Sequence, residues 1–80
     1  MLSREDFNRY VAIIMNAEAN IDYCSVWDQN FLNDYKEKFR QYRLQTNVND
    51  NQDRQFTRIE EYLREELGHE YSENEVLPDE

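Results

Sequence analysis

The sequence predicts an all-α protein, a small bundle of three helices at about residues 4–19, 26–44 and 50–67. Apolar residues recur at helical spacing in each of these three segments. The chain has 80 residues with one Gly and one Pro, too few turn residues for an all-β protein. A chain of this length forms one domain at most. We place a helical domain at residues 1–68 and expect an acidic, mobile tail over residues 69–80.

The first helix is predicted from an apolar row at positions i, i+3, i+4 and i+7, which is one face of a helix. The row consists of Phe7, Tyr10, Val11 and Ile14. Ser3 stands where an N-cap residue belongs, and its hydroxyl can accept a hydrogen bond from a backbone N–H of the first turn. We therefore expect a helix over about residues 4–19. The stretch 21–26 is apolar but irregular, and it is compatible with a connector or with a helical turn. In either case we expect its apolar side chains, Ile21, Tyr23 and Val26, to be packed.

The second helix is predicted from an aromatic row that repeats at intervals of four and three residues. The row consists of Trp27, Phe31, Tyr35, Phe39 and Tyr42. Ser25 precedes it as a second candidate N-cap. This pattern indicates a helix over about residues 26–44, with an aromatic face wide enough to contact both other helices.

The third helix is predicted from an apolar row followed at once by the one glycine of the chain. The row consists of Phe56, Ile59, Leu63 and Leu67. Gly68 comes directly after it, and glycine is the residue that most readily takes the positive φ of a helix C-terminus. At the other end, Asn49 with Gln52, or Asp50 with Asp53, can cap the first turn. We expect a helix over about residues 50–67.

The bulk composition excludes several classes of protein. The net charge is −9 at pH 7, which disfavours a general binder of nucleic acid or of anionic membranes. The longest apolar run spans residues 11–15, far short of the ~20 residues of a membrane span. No signal peptide is evident, and the single cysteine, Cys24, cannot form an internal disulfide. We therefore expect a cytoplasmic protein of a bacterium or of an infected host cell.

Catalytic chemistry finds little support in the sequence. Cys24 as a nucleophile would need a nearby base, and the one histidine, His69, lies 45 residues further along the chain. His69 stands among acidic residues, which is compatible with weak metal binding or with a cation near a helix C-terminus. One glycine cannot build a phosphate-binding loop. We expect a protein that is not an enzyme, with no cofactor and no metal.

The start of the third helix has part of the ligand spacing of a calcium loop. Asn49, Asn51, Asp53 and Glu60 have the spacing of the first, third, fifth and twelfth positions of such a loop. However, Arg54 occupies the position where the sharp turn requires glycine. The sequence therefore favours a solvated loop that caps the helix.

The negative charge is concentrated at the C-terminal end of the chain. Residues 59–80 carry a net charge of −8, and residues 1–58 carry −1. A row of carboxylates of this kind is attracted to a basic groove and accelerates association with it. A solubilising tail is the other interpretation. The candidate residues for contact with a partner are Glu60, Glu61, Glu65, Glu66, Glu70, Glu73 and Glu75. We expect a protein partner with a basic surface, such as a nucleic-acid-binding protein, and no direct contact with nucleic acid or membrane.

An alternative function is self-association, as a homodimer or an assembly subunit, through exposed aromatic side chains. The candidates for such a patch are Tyr10, Trp27, Tyr35 and Tyr42. A further alternative is weak binding of single-stranded nucleic acid through the basic stripe of Lys36, Arg40 and Arg43, which lies beside the aromatic row of the second helix.

In size, charge and the segment Phe56–Gly68, the chain resembles a class of small acidic helical proteins encoded by phages and other mobile elements. These proteins, which include anti-CRISPR proteins and other DNA mimics, block host machinery that handles nucleic acids. The resemblance covers 13 of the 80 residues and includes no catalytic motif. It implies stoichiometric inhibition by occlusion of a surface.

Overall fold

A computed structural model describes residues 1–73 and shows an all-α fold over that range, which confirms the predicted class. The three helices are α1 (Arg4–Ala19), α2 (Val26–Tyr42) and α3 (Asp50–Leu67). Single 3₁₀ turns follow each of them, at Ile21–Tyr23, Arg43–Gln45 and Gly68–Glu70. None of the helices in the described range is long and apolar enough to cross a membrane.

The helix starts follow the local capping chemistry that the sequence predicts. The hydroxyl of Ser3 accepts from the backbone N–H of Asp6, and that of Ser25 accepts from the N–H of Asp28. At α3, the Asn49 side chain accepts from the Gln52 N–H, and the Gln52 side chain accepts from the Asn49 N–H, both at 2.9 Å. The first of the two predicted caps for α3 is therefore the one that forms, and it is a complete capping box.

The end of α2 lies two residues before the predicted boundary. Arg43 takes a positive φ of 52°, which breaks the helical path after Tyr42. The Thr46 hydroxyl then caps the turn, because it donates to the Arg43 carbonyl at 2.8 Å. The Leu44 carbonyl accepts from the backbone N–H of Leu2 at 2.7 Å. The chain thus leaves the helix and forms a tertiary hydrogen bond with the N-terminal segment. The local sequence pattern around Leu44 does not predict this bond.

α1 is the central helix and packs against both α2 and α3. Its residues Val11, Ile13 and Ile14 are almost completely buried. Aromatic rings bridge α2 and α3: the Phe56 ring lies 5.0 Å from that of Phe31 and 5.3 Å from that of Tyr35, between centroids. Such edge and tilted contacts stabilise a core beyond the burial of the rings. Aromatic packing therefore holds the bundle together where a chain this short has few aliphatic side chains to bury.

The chain after α3 does not leave the bundle at once. We call residues 68–73 the C-terminal strap. Tyr71 is buried to 9% exposure, and the Ser72 backbone is hydrogen-bonded to the Asn16 side chain of α1. The segment expected to be a mobile tail is therefore attached to the bundle at Tyr71 and Ser72, whereas His69, Glu70 and Glu73 are exposed. The rest of that segment, residues 74–80, lies outside the described range.

Candidate protein-binding surface

Glu60, one of the seven candidate contact residues, is turned away from solvent. It follows Phe56 by four residues and precedes Leu63 by three, so it lies on the buried side of α3. Its side chain is 12% exposed. Its carboxylate pairs with the Arg9 guanidinium at 3.2 Å and with that of Arg64 at 3.5 Å. The structure therefore assigns Glu60 to the contact between helices and does not place it on an exposed surface.

Arg9 of α1 organises a polar network along the edge where α1 meets α3. Its Nη2 donates to the Thr57 hydroxyl at 2.6 Å, and its Nη1 donates to the Asp53 carboxylate at 3.2 Å. The Tyr10 hydroxyl also donates to Asp53, at 2.5 Å. Together with the Arg9–Glu60 pair, these bonds join residues 43 to 51 positions apart in sequence. This edge fixes the register of α3 on α1.

The network shifts the ionisation of its members. The hydrogen bond from Tyr10, and then the bond and positive charge of Arg9, lower the pKa of Asp53 in spite of its partial burial. Burial, and then the hydrogen bond to Asp53, raise the pKa of Tyr10. The pair therefore holds one proton on the phenol and a charged carboxylate over the whole physiological range.

Four of the candidate glutamates lie on the outside of the bundle, and we call them the acidic face. They are Glu61, Glu65, Glu66 and Glu70. All four are exposed, and no ion pair joins any of them to a base within residues 1–73. Glu61 and Glu65, and likewise Glu66 and Glu70, are four residues apart, so each pair stands in a row along one side of the helix and its terminal turn.

The two arginines of α3 that lie nearest to the acidic face in sequence, Arg58 and Arg64, form ion pairs with other carboxylates. Arg58 reaches across to α2, where its Nη2 pairs with Asp28 at 2.7 Å. Arg64 pairs with Glu60 and, at 3.0 Å, with Glu73. Glu73, a candidate contact residue, is thus exposed but already bound to a base. Glu75, the remaining candidate, lies outside the described residues.

Tyr62 belongs to this surface, and the sequence analysis did not single it out. Its side chain is 46% exposed, and it lies between Glu61 and the pair Glu65 and Glu66 on α3. The available signal was its position: Tyr62 precedes Leu63 and falls outside the i, i+3, i+4 row that forms the buried face. An exposed tyrosine offers a large, rigid contact area at low entropic cost. The acidic face therefore surrounds an aromatic group.

The basic stripe proposed for nucleic-acid binding is not assembled on one helix. Lys36 is partly buried and pairs with Glu18 of α1 at 2.6 Å. Arg43 lies beyond the end of α2, where its positive φ turns the chain. The expected i, i+4, i+7 row of Lys36, Arg40 and Arg43 requires a continuous helix, so it is interrupted at its last member.

Two of the four aromatic residues proposed for self-association are core residues. Tyr10 and Tyr35 are almost fully buried, because each packs against Phe39 and Phe56. Trp27 and Tyr42 are exposed, as that hypothesis requires. The Trp27 ring stacks on Phe31 and lies 5.9 Å below the Arg58 guanidinium. Ile21, Tyr23 and Val26 are also exposed, so the expectation that this stretch is packed is wrong. The corner between α1 and α2 is therefore apolar.

The residues considered for catalysis or metal binding are not brought together. Cys24 is half-buried, and burial, with the Asp28 charge, raises the pKa of its thiol, which disfavours a nucleophilic thiolate. His69 is exposed on the C-terminal strap. Asp53 and Glu60 of the considered calcium loop both bind Arg9, and Asn49 caps α3. No group of three His, Cys, Asp or Glu side chains within residues 1–73 is arranged to hold a metal ion.

Comparison with known proteins returned no matching family model, no matching curated protein and no matching solved structure.

Proposed function

We propose that this protein is a non-enzymatic binding module that presents the acidic face of α3 to a basic groove of another protein. It would act as a stoichiometric inhibitor or regulator of a nucleic-acid-handling protein. The observation that supports this most is the unpaired state of Glu61, Glu65, Glu66 and Glu70, which surround the half-exposed Tyr62. The same helix pairs its other described glutamate, Glu60, with arginines.

The unpaired carboxylates favour recognition over a purely solubilising role. A solubilising surface works best with charges of both signs interspersed, and Arg58 and Arg64 are close enough in sequence to provide them. Both instead pair with other acids, Asp28 for the one and Glu60 with Glu73 for the other. The acidic face therefore keeps a field of one sign, which steers a basic partner and accelerates its association.

Tyr62 would add an apolar contact that a partner can bury, which a row of carboxylates does not provide. Binding energy at interfaces is concentrated in a few residues, and tyrosine is among the most frequent of them. A tyrosine surrounded by glutamates is also suited to a cationic partner side chain, which can lie over the ring and pair with a carboxylate. We therefore assign the glutamates to association rate and specificity and Tyr62 to the lifetime of the complex.

The test is a charge reversal with a matched control. The tagged protein captures its partner from the native host, and the association of the purified partner is then measured at several salt concentrations. We expect the variant Glu61→Lys with Glu65→Lys to slow association about tenfold or more at low salt. The control, Asp22→Lys with Glu37→Lys, changes the net charge equally at exposed positions outside the acidic face. Equal rates for the two variants, or rates indifferent to salt, would contradict the proposal.

Self-association is a second candidate, supported by the exposed apolar corner at Trp27. Sedimentation of the protein over a wide concentration range decides it. Dimerisation that Trp27→Ser abolishes would support this function, and a monomer at the highest concentration would remove it.

A further inference from the structure

The C-terminal strap is joined to α3 through a hinge. Gly68 ends the helix with a φ of 57°, which an L side chain rarely adopts. A Cβ atom at this position would meet no atom within 4 Å apart from its own chain neighbours, so lack of space does not explain the glycine. The glycine is therefore required for the direction of the backbone. Beyond it the strap turns back onto α1.

Asn16 of α1 binds the strap by its backbone. Its Nδ2 donates to the Ser72 carbonyl at 2.6 Å, and its Oδ1 accepts from the Ser72 N–H at 2.9 Å. The same Nδ2 donates to the Ala12 carbonyl at 2.7 Å, which fixes the orientation of the amide. Asn16 is 4% exposed. The contact thus satisfies the hydrogen-bonding groups of a buried amide. It involves the backbone N–H and C=O of residue 72 and not its side chain.

Tyr71 makes the largest contact of the strap, and the contact is incomplete. The Arg64 guanidinium lies 4.6 Å from the ring centroid, and Arg64 also pairs with Glu73. The Tyr71 hydroxyl is buried and has no hydrogen-bond partner among residues 1–73. A buried hydroxyl without a partner opposes the docked state, because the exposed hydroxyl would be bonded to water. The ring and the Asn16 bonds favour docking, and the hydroxyl disfavours it.

The strap forms one wall of a polar groove between α1 and α3. The groove has a volume of about 380 Å³, and Tyr71 and Glu73 line it together with Arg9, Glu60 and Arg64. Removal of the strap would open the groove beside Arg9, Glu60 and Arg64, and it would also withdraw the Tyr71 ring from the edge of the core. The position of the strap therefore decides how much of the groove is open.

We propose that the C-terminal strap is a latch: the Asn16 amide holds it closed over the groove, and it opens about Gly68 as a unit while the three helices remain folded. The few contacts of the strap with α1 and α3, set against the unpaired Tyr71 hydroxyl, support an open state of low free energy. A segment of this kind opens by local unfolding at a cost well below that of global unfolding.

Hydrogen exchange of backbone amides, measured by NMR on the full chain, tests this proposal. In the native protein we expect the Ser72 amide to exchange faster than the Leu63 amide of the α3 core, but slower than an unstructured amide. Asn16→Leu keeps the branched shape of the side chain and removes both bonds to Ser72, so it should accelerate Ser72 exchange by about tenfold or more. Ser72→Ala, the matched control, keeps the peptide group and should leave the exchange rate of residue 72 within about twofold of the native rate.

Two results would overturn the latch. One is a Ser72 exchange rate that Asn16→Leu leaves unchanged, and the other is equal exchange of Ser72 and Leu63 in the native protein, since the strap would then open only with the whole fold. If Asn16→Leu does not fold, Ser72→Pro is the second variant. It removes the N–H that donates to Asn16 Oδ1 and leaves the sequence of α1 unchanged. The strap should then open, seen as loss of the nuclear Overhauser contact between Tyr71 and Arg64. Persistence of that contact would refute the role of Asn16.

Discussion

The two edges of α3 carry the same kind of side chain in different surroundings. On the edge that faces α1, Asp53 and Glu60 bind Arg9, and Glu60 also pairs with Arg64. On the outer edge, Glu61 and Glu65 meet no base among residues 1–73. Glu60 and Glu61 are neighbours in sequence, yet the one is buried and the other exposed. A step of about 100° around the helix separates a carboxylate bound between two arginines from one that is exposed to solvent.

This difference shows that net charge alone describes the surface poorly. Exposed ion pairs contribute little to stability, whereas a partly buried pair that loses one member leaves a charge without compensation. The α1-facing edge should therefore control the free energy of unfolding, and the outer edge should control recognition. Substitutions on the two edges can separate these roles.

The largest effect is expected at Arg9. Arg9→Met keeps much of the apolar stem but removes the bonds to Asp53, Thr57 and Glu60, so both carboxylates lose the guanidinium that they share. We expect the free energy of unfolding to fall by about 3 kcal/mol, measured by urea denaturation. Arg54→Met is the control, because Arg54 is exposed and bonds only locally to Asn51. It should change stability by no more than about 0.5 kcal/mol. Equal losses in the two variants would contradict the role of the network.

A smaller effect sharpens the comparison of neighbours. Glu60→Gln removes the charge between Arg9 and Arg64 and should lower the free energy of unfolding by about 1–2 kcal/mol. Glu61→Gln should leave it within about 0.5 kcal/mol, since Glu61 is exposed. In binding the order should reverse, with the larger loss of association rate at Glu61. If both variants lose the same stability, the two edges are not distinct.

The smallest effect concerns acid pH. The pKa of Asp53 is lower in the folded state than its ordinary value of 3.8. The charged carboxylate therefore stabilises the folded protein at every pH above about 4. That stabilisation is lost as the pH falls from about 4 through the lowered pKa of the folded state. The difference in unfolding free energy between the native protein and Asp53→Asn should be constant from pH 7 to 5 and shrink below pH 4. A difference that stays constant down to pH 2.5 would show that Asp53 does not titrate with folding.

The helices and their starts could be predicted because their causes are local. Ser3, Ser25 and Asn49 cap with backbone groups three residues away, and Gly68 ends α3 by its own conformational freedom. The end of α2 was displaced because the Leu44 carbonyl binds the N-terminal segment, 42 positions away. The spacing of apolar residues indicates which face of a segment can be buried. It does not indicate which distant backbone group will form a hydrogen bond with that segment.

The candidate surface was predictable only in part, for the same reason. The exposure of Glu61 and Glu65 follows from their place opposite the apolar row of α3. The burial of Glu60 depends on Arg9, which lies 51 positions earlier. In the same way, Tyr35 and Trp27 belong to one aromatic row, yet Tyr35 packs against Phe56 of α3 and is buried, whereas Trp27 is exposed.

By itself, the sequence determined three amphipathic helices, their caps and the concentration of negative charge at the C-terminal end, because hydrophobic period, capping and charge count are properties of short segments. Only the tertiary structure decided which carboxylates remain unpaired, which tyrosines are exposed and where the chain goes after Gly68. Those outcomes depend on contacts between residues far apart in sequence, such as Tyr35 with Phe56, Arg9 with Glu60 and Asn16 with Ser72. The physical reason is that charge pairing and burial are set by what a side chain meets when the helices pack together.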